Sequence, residues 1–223
     1  MTHEERLEVF KNIDIGCVTD ALIYYGVGQW TRGIFPVNVD AKIYGRAVTA
    51  KFDIVTPPRE EITPLECLEM CQPGDVMVWN ADLDTNLMGG NIFTFAKRQG
   101  VCGIVLEGYH RDSDEIAALG GQVFSKGSSC GSSPTNFKAT RETINIPVTV
   151  GGVTVRPGDY VCGDRDGVMV IPAERVDDVL AEALHHMEWE KAVKEAIARG
   201  YTAAQMKIVY ETGALIPDAD QEK

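Results

Sequence analysis

The chain predicts an α/β fold, a central sheet flanked by helices, and three observations carry that expectation. Two Pro-Gly-Asp triplets, Pro73-Gly74-Asp75 and Pro157-Gly158-Asp159, each lead into an apolar run, Val76-Met77-Val78-Trp79 and Tyr160-Val161-Cys162. Proline presets one turn dihedral and glycine supplies the positive one, so each triplet is a tight turn feeding a strand. Between them a helical pattern, Asn91 to Gln99, stops at Gly100 and is followed by the apolar strand Ile104-Val105-Leu106. Strand, helix, strand with short connections is the order that builds a sheet with helices on its faces. From Pro172 onward the pattern is helical.

Taken in order, Thr2 followed by Glu5 reads as a capping box opening a helix through about Ile13, and a second helix covers Val18 to Tyr25 before Gly26. Ala41 to Val55 alternates and is rich in β-branched residues, which predicts a strand ended by Pro57-Pro58. Residues 125–141, rich in Ser, Gly and Thr, lack periodicity and are expected to be a loop. Ile146 to Val155 reads as a hairpin turning at Gly151-Gly152, and Val168-Met169-Val170-Ile171 as another buried strand. The tail divides into a long helix, Ala173 to Arg199 with Gly200 as its stop, and a shorter one, Thr202 to Thr212 before Gly213. The expected organisation is an α/β core over residues 1–172 and a helical extension over 173–223, part of the same domain and packing on a neighbouring subunit.

Composition excludes several classes of function. A formal charge of −12 with no local Lys/Arg cluster repels a polyphosphate backbone, so nucleic acid is not expected as a partner. No apolar run approaches the roughly 20 residues of a spanning helix. The first residues, Met1-Thr2-His3-Glu4-Glu5-Arg6, lack the charge pattern of a secretory signal, and a cytoplasmic protein with no membrane partner is expected. The six cysteines (17, 67, 71, 102, 130 and 162) lie among apolar neighbours without the paired spacing of a zinc site, and read as reduced, mostly buried thiols.

The most informative stretch for chemistry is Ile104-Val105-Leu106-Glu107-Gly108-Tyr109-His110-Arg111-Asp112. A buried strand delivers an adjacent cation and anion at its carboxyl end, where open α/β sheets hold ligands. The planar fork of arginine suits a carboxylate, and aspartate ligates hard divalent cations through oxygen. An Arg-Asp pair in a turn is also an ordinary surface feature, so these residues alone leave both readings open. Upstream, Gly89-Gly90-Asn91 opens the predicted helix, where glycines let backbone N–H groups approach an anion and the helix dipole favours one. That helix leads directly into the strand ending at Arg111, so both ends can line one crevice.

The ordered set of Val18-Thr19-Asp20-Ala21-Leu22, Pro73-Gly74-Asp75-Val76, Gly89-Gly90-Asn91, Gly108 through Asp112, Ile146-Pro147-Val148 and Pro157 through Val168 resembles the RraA-like family over nearly the whole chain. That family includes class II 4-hydroxy-4-methyl-2-oxoglutarate aldolases, oxaloacetate decarboxylases and the RraA protein that inhibits ribonuclease E. The resemblance implies a layered α-β-β-α sandwich like a swivelling phosphohistidine domain, assembled as a homotrimer or homohexamer. It implies a site in which Arg111 binds the carboxylate of a pyruvate-like 2-oxo acid and Gly89, Gly90, Asn91 and Ile92 hold the same substrate. Asp112 would bind Mg2+ or Mn2+, with Glu190 of a neighbouring subunit approaching the metal through water. The implied activity is metal-dependent carbon–carbon cleavage releasing pyruvate; the alternative is a non-catalytic protein-binding regulator of the ribonuclease-inhibitor type.

The chain departs from that family at two places. Family aldolases commonly carry Asp or Glu where this chain has Gly90, and Asp82 or Asp84 are candidates to replace the missing carboxylate. Tyr109 and His110 are bulkier than usual at their positions, which suggests an altered pocket. Other tempting residues read as structural. Asp164 and Asp166 suit a turn, and His185-His186 are neighbours pointing in different directions on a helix. Ser132-Ser133 lacks a nucleophile elbow, and no G-x-G-x-x-G loop holds a nucleotide-like cofactor for methyl transfer.

Overall fold

The computed structural model describes residues 1–56, 60–81, 83, 85 and 86–217. In chain order the elements are α1 (His3–Asn12), α2 (Ile15–Tyr24), β1 (Phe35–Pro36), β2 (Ile43–Lys51), β3 (Asp53–Ile54), α3 (Pro64–Glu69), β4 (Val76–Asn80), β5 (Asn86–Met88), α4 (Gly90–Arg98), β6 (Gly103–His110), α5 (Ser113–Ala118), β7 (Val123–Ser128), β8 (Phe137–Lys138), β9 (Val148–Val150), β10 (Val153–Val155), β11 (Tyr160–Asp164), β12 (Gly167–Ile171), α6 (Val176–Ala198) and α7 (Ala203–Thr212).

Eight strands form one sheet in the order β1-β7-β6-β4-β2-β11-β12, with β5 beside the end of β6. Strands β2, β4, β6 and β7 run parallel, and β11 is antiparallel to both β2 and β12. The layering follows from side-chain alternation, because successive residues of a strand face opposite sides. Met77, Trp79, Ile104 and Leu106 turn outward into a cluster with Leu68 of α3, Phe93 and Ala96 of α4 and Ile116 of α5. Their neighbours Val76, Val78 and Val105 turn inward and share a second cluster with Val161, Val168 and Val170 of β11 and β12 and with Val150 of the β9–β10 hairpin. On the far side, Cys162, Met169 and Ile171 pack against Phe10 of α1, Leu22 of α2 and Val179 and Leu180 of α6. The sheet is therefore folded on itself between two helical layers, an α-β-β-α arrangement.

Both Pro-Gly-Asp turns form as expected and share one construction. Gly74 and Gly158 have φ of 88° and 89°, which favours glycine. In each, the aspartate accepts the N–H three residues upstream: Gln72 to Asp75 at 2.8 Å and Arg156 to Asp159 at 2.8 Å. Both turns dock on β2. Asp75, fully buried, also takes Nε and Nη2 of Arg46 at 3.1 Å each, while Ala47 donates its N–H to the Asp159 carbonyl at 2.7 Å. Asp159 further accepts the Ala173 N–H at 3.1 Å, which fixes the point where the helical tail leaves the sheet.

The structure departs from the sequence expectation locally. Helix α2 starts at Ile15, because Asp14 caps it by accepting the Gly16 N–H at 2.9 Å. The expected loop over 125–141 includes part of a strand, β7, whose Ser- and Gly-rich residues are held by pairing with β6 rather than by their own propensity. Helix α3 carries a capping box, Thr63 with Glu66, and Pro64 in its first turn, a signal present in the sequence but not read as a helix there. The expected long tail helix begins as a 3-10 turn, Ala173–Arg175, before α6. No helix among the described residues is long and apolar enough to cross a membrane. All six cysteines are free, and burial pushes the Cys67 thiol up to about 12.

Arg6 of α1 holds Asp177 of α6 through Nε at 2.7 Å and Nη2 at 3.1 Å. Hydrogen bonding by Arg6, and by the Met1 amino group, draws the Asp177 carboxyl from its ordinary 3.8 to about 2. A carboxyl depressed on folding adds stability above its unfolded value and loses it as pH falls toward its folded one. Asp177→Asn is expected to lower stability at pH 7 by at most about 1 kcal/mol, since solvent screens this half-exposed pair. Urea titrations should find the deficit shrinking between pH 4 and pH 2; a deficit undiminished at pH 2 would remove the ion pair as its cause.

Candidate active site

Strands β5 and β6 run parallel, with Asn86 opposite Tyr109 and Met88 opposite His110, so the segments leaving their carboxyl ends emerge side by side. One is Gly89, opening α4; the other is Arg111-Asp112, opening α5. Two hydrogen bonds join them: the Arg111 N–H donates to the Met88 carbonyl at 3.0 Å, and the Gly90 N–H donates to Asp112 Oδ2 at 3.1 Å. The crevice expected between these segments is thus formed within one chain.

Strand β6 runs past Gly108 to His110. A Cβ at Gly108 would lie 2.7 Å from the Ala81 carbonyl oxygen, so glycine permits the close approach. The register with β7 shifts between Leu106 and Tyr109, a bulge-like irregularity of the kind that re-aims the residues after it. Asp112 has φ 57° and ψ 40°, the left-handed region that costs a non-glycine residue about 1 kcal/mol or more. Aspartate is among the side chains that tolerate it, and such conformations gather at functional sites.

Arg111 Nε lies 3.6 Å from Asp112 Oδ2, and about half of its side chain is exposed. No other ion-pair partner of Arg111 exists among the described residues. Asn91 and Ile92 follow Gly90 in the first turn of α4, where backbone N–H groups have no acceptor within the helix. Glu115, on α5, brings a second carboxylate to the same place: a Cβ built on Gly90 would stand 2.2 Å from its Oε2. Sequence reasoning did not single out Glu115. The available signal was its spacing of three from Asp112, which shares a face once α5 is recognised, but a helix of six residues leaves little periodicity to read.

The remaining candidates fall elsewhere. His110 does not enlarge the pocket wall: it is buried, with Nδ1 on Ser125 Oγ at 2.8 Å and Nε2 on Ser113 Oγ at 2.9 Å. Burial lowers its pKa, against a smaller opposing effect of the Gly127 backbone. Both hydroxyls therefore clamp a neutral ring directly behind Arg111. Tyr109 is half-buried beside Gly127. Asp82 and Asp84 lie outside the described residues. Glu190 sits on α6, in the helical layer opposite α4 and α5, paired with Lys194. Asp164 accepts the Asp166 N–H at 2.9 Å, a turn as expected, and His185 and His186 hold their rings 6.4 Å apart. A cavity of about 560 Å³ opens on the β9–β10 side, lined by Trp30, Arg32, Gly151 and Arg156 among others, and includes none of the Arg111 cluster. It offers cations but no carboxylate, so the chemistry is better sought at Asp112.

Fold and site together define an α/β protein that presents an arginine and two carboxylates at the carboxyl edge of parallel strands, beside a helix amino terminus. The chain belongs to the RraA-like family, whose profile, described as Aldolase/RraA, matches residues 16–170. It is 32% identical over 195 residues, 85% of this chain and 87% of the other, to a Halalkalibacterium halodurans protein named "Putative 4-hydroxy-4-methyl-2-oxoglutarate aldolase". Streptomyces coelicolor RraAS2, described as an unusual member of the RNase ES inhibitor RraA protein family, superposes with a TM-score of 0.71 at 27% identity, covering 84% of this chain and 94% of that one. An uncharacterized protein from Pseudomonas syringae pv. tomato shares the fold at a TM-score of 0.84 and 24% identity, over 94% of this chain and 95% of that one.

Proposed function

We propose that this protein is a divalent-metal-dependent carbon–carbon lyase acting on a 2-oxo acid, releasing pyruvate from substrates like 4-hydroxy-4-methyl-2-oxoglutarate or by decarboxylation of oxaloacetate. The observation that carries the proposal is the convergence of Asp112 on the Gly90 N–H with Arg111 alongside. The aldolase name borne by the H. halodurans relative supports the same reaction class.

The residues fit a hard cation. Mg2+ keeps several waters and uses one or two carboxylates together with substrate oxygens. Asp112 has one carboxylate oxygen engaged by Gly90 and the other without a hydrogen bond to a described residue. No group of three or more His, Cys, Asp or Glu forms a metal-binding cluster among the described residues, so water and substrate would complete the shell, with Glu190 of a neighbouring subunit approaching through water. When bound there, Mg2+ or Mn2+ supplies a Lewis acid for the oxyanion that develops as the carbon–carbon bond breaks. Arg111, whose one ion-pair partner among the described residues is Asp112, binds the substrate carboxylate through its planar fork. The first-turn N–H groups of Asn91 and Ile92 hold a substrate oxygen and add the favourable end of the α4 dipole. No lysine is needed for a Schiff base. A homotrimer or homohexamer, cytoplasmic and with a small 2-oxo acid as its only ligand besides the metal, completes the reading.

The likeness to RraAS2 favours a second reading, a regulator that binds another protein without turnover. Pyruvate release coupled to lactate dehydrogenase separates the two, with both substrates tested in Mg2+, in Mn2+ and in excess chelator. Release is expected with either metal and should vanish on chelation. Release that survives chelation overturns the metal-dependent mechanism, and no release from folded, metal-loaded protein moves the weight to the regulator.

A further inference from the structure

The cavity of about 560 Å³ on the β9–β10 side includes neither Arg111 nor Asp112, and the proposed reaction leaves it unused. Two arginines reach it: Arg32 from the segment that precedes β1, and Arg156 from the turn that follows β10. Neither guanidinium has an ion pair or a hydrogen bond with a described residue, and no acidic residue lines the cavity. Acidic residues outnumber basic ones 33 to 21 in this chain, so two unanswered cations on one cavity stand against its general charge. Like charges facing one space repel unless an anion lies between them. The carboxylate that reaches the Gly151-Gly152 turn is withheld from them: Glu107 on β6 accepts the Gly151 N–H through Oε2 at 2.5 Å and holds Lys126 through Oε1 at 2.7 Å.

Both arginines stand on fixed backbone. Residues 29–32 are tied to β12 by the Thr31 N–H on the Val168 carbonyl at 2.9 Å and by the Val170 N–H on the Gln29 carbonyl at 3.0 Å, and to the hairpin by the Arg32 N–H on the Gly151 carbonyl at 2.9 Å. The Arg156 N–H donates to Asp159 Oδ2 at 2.8 Å, inside the second Pro-Gly-Asp turn. A Cβ on Gly151 would stand 2.5 Å from Thr31 Cβ, while one on Gly152 would meet nothing within 4 Å, so one glycine lets the wall close and the other leaves the space beside it clear. Trp30, bridged to Met169 and 45% exposed, supplies an indole ring to the same cavity.

We propose that this cavity binds a small organic dianion, two carboxylates on a flat, unsaturated frame. Each guanidinium takes one carboxylate through its planar fork, and the indole stacks on the frame that joins them. The volume suits a ligand of metabolite size, for which about 300–1,000 Å³ is usual. A monocarboxylate leaves one arginine unanswered, and inorganic phosphate leaves the indole bare.

Benzene-1,3-dicarboxylate is the probe, titrated calorimetrically into the full-length, metal-free protein at low ionic strength, where exposed guanidiniums are least screened. Saturable binding is expected, with quenching of indole fluorescence that disappears in Trp30→Phe. Benzoate and inorganic phosphate should each bind at least about tenfold more weakly. Arg32→Gln and Arg156→Gln should each weaken the dicarboxylate about tenfold, and both variants should fold, since each side chain is exposed. Arg111→Gln separates this cavity from the candidate active site, where a carboxylate can also bind, and should leave the affinity unchanged. No saturable binding by the wild type, phosphate bound as tightly as the dicarboxylate, or an affinity lost with Arg111→Gln and kept with Arg32→Gln and Arg156→Gln overturns the proposal. None of these outcomes bears on the lyase reading, which the coupled assay decides separately.

Discussion

Asp112→Ala is expected to lower metal-dependent pyruvate release by about a hundredfold to a thousandfold, the cost of removing a group that positions charge stabilisation in the transition state. The fold should survive the change. The side chain is 41% exposed, and its one described hydrogen bond, from the Gly90 N–H, lies at a helix terminus that water can reach. A moderate loss of stability is expected as well, because alanine tolerates the φ of 57° at this position less well than aspartate, at a cost of about 1 kcal/mol. Asp112→Asn separates charge from geometry: it keeps an oxygen acceptor for Gly90 and a side chain suited to the left-handed backbone, and removes only the negative charge. Turnover should fall nearly as far with Asn as with Ala. Activity retained in both variants would show that Asp112 holds Gly90 in place and does nothing more. A regulator would keep its partner through either change, which the coupled assay and a binding measurement read separately.

Asp75→Ala should carry the largest effect on stability, about 2–3 kcal/mol by urea denaturation, with the midpoint falling at unchanged slope. Asp75 is fully buried and satisfies three donors, the Gln72 N–H and two nitrogens of Arg46. The Arg46 side chain is 37% exposed, so water solvates the guanidinium left behind and the cost stays below that of orphaning a wholly buried charge. The loss should appear as a looser connection between β2 and β4, because the turn that Asp75 closes lies against β2. A Cβ at Gly45 would already be 2.1 Å from the Gly74 carbonyl oxygen. An Asp75→Ala protein as stable as wild type would mean that glycine and proline alone close this turn.

Several features were legible because their causes are local. The capping box at Thr2, the two Pro-Gly-Asp turns and the Gly151-Gly152 hairpin each depend on residues within four positions of one another, and all form as the sequence indicates. Strand β7 was not legible for the opposite reason. Val123 and Phe124 are apolar, but Ser125, Lys126, Gly127 and Ser128 carry no strand signal, and what holds them extended is β6 on one side and β1 on the other. Helix α2 starts earlier than its apolar pattern suggests because Asp14, and not the hydrophobic run, sets its beginning.

For the candidate site the division is sharper. The sequence by itself determined that an arginine and an aspartate leave the carboxyl end of a buried strand, and that two glycines open the helix leading into that strand. Those facts depend only on order along the chain. Which groups meet there was decided by tertiary structure: Gly90 on Asp112, Glu115 over Gly90, and His110 turned behind the site onto Ser113 and Ser125. Each contact joins elements whose positions depend on how β5, β6 and β7 align and on how α4 and α5 pack across Ala96 and Ile116. A sequence states which side chains are available; alignment and packing decide which of them share a few ångströms, and carboxylate chemistry depends on that distance.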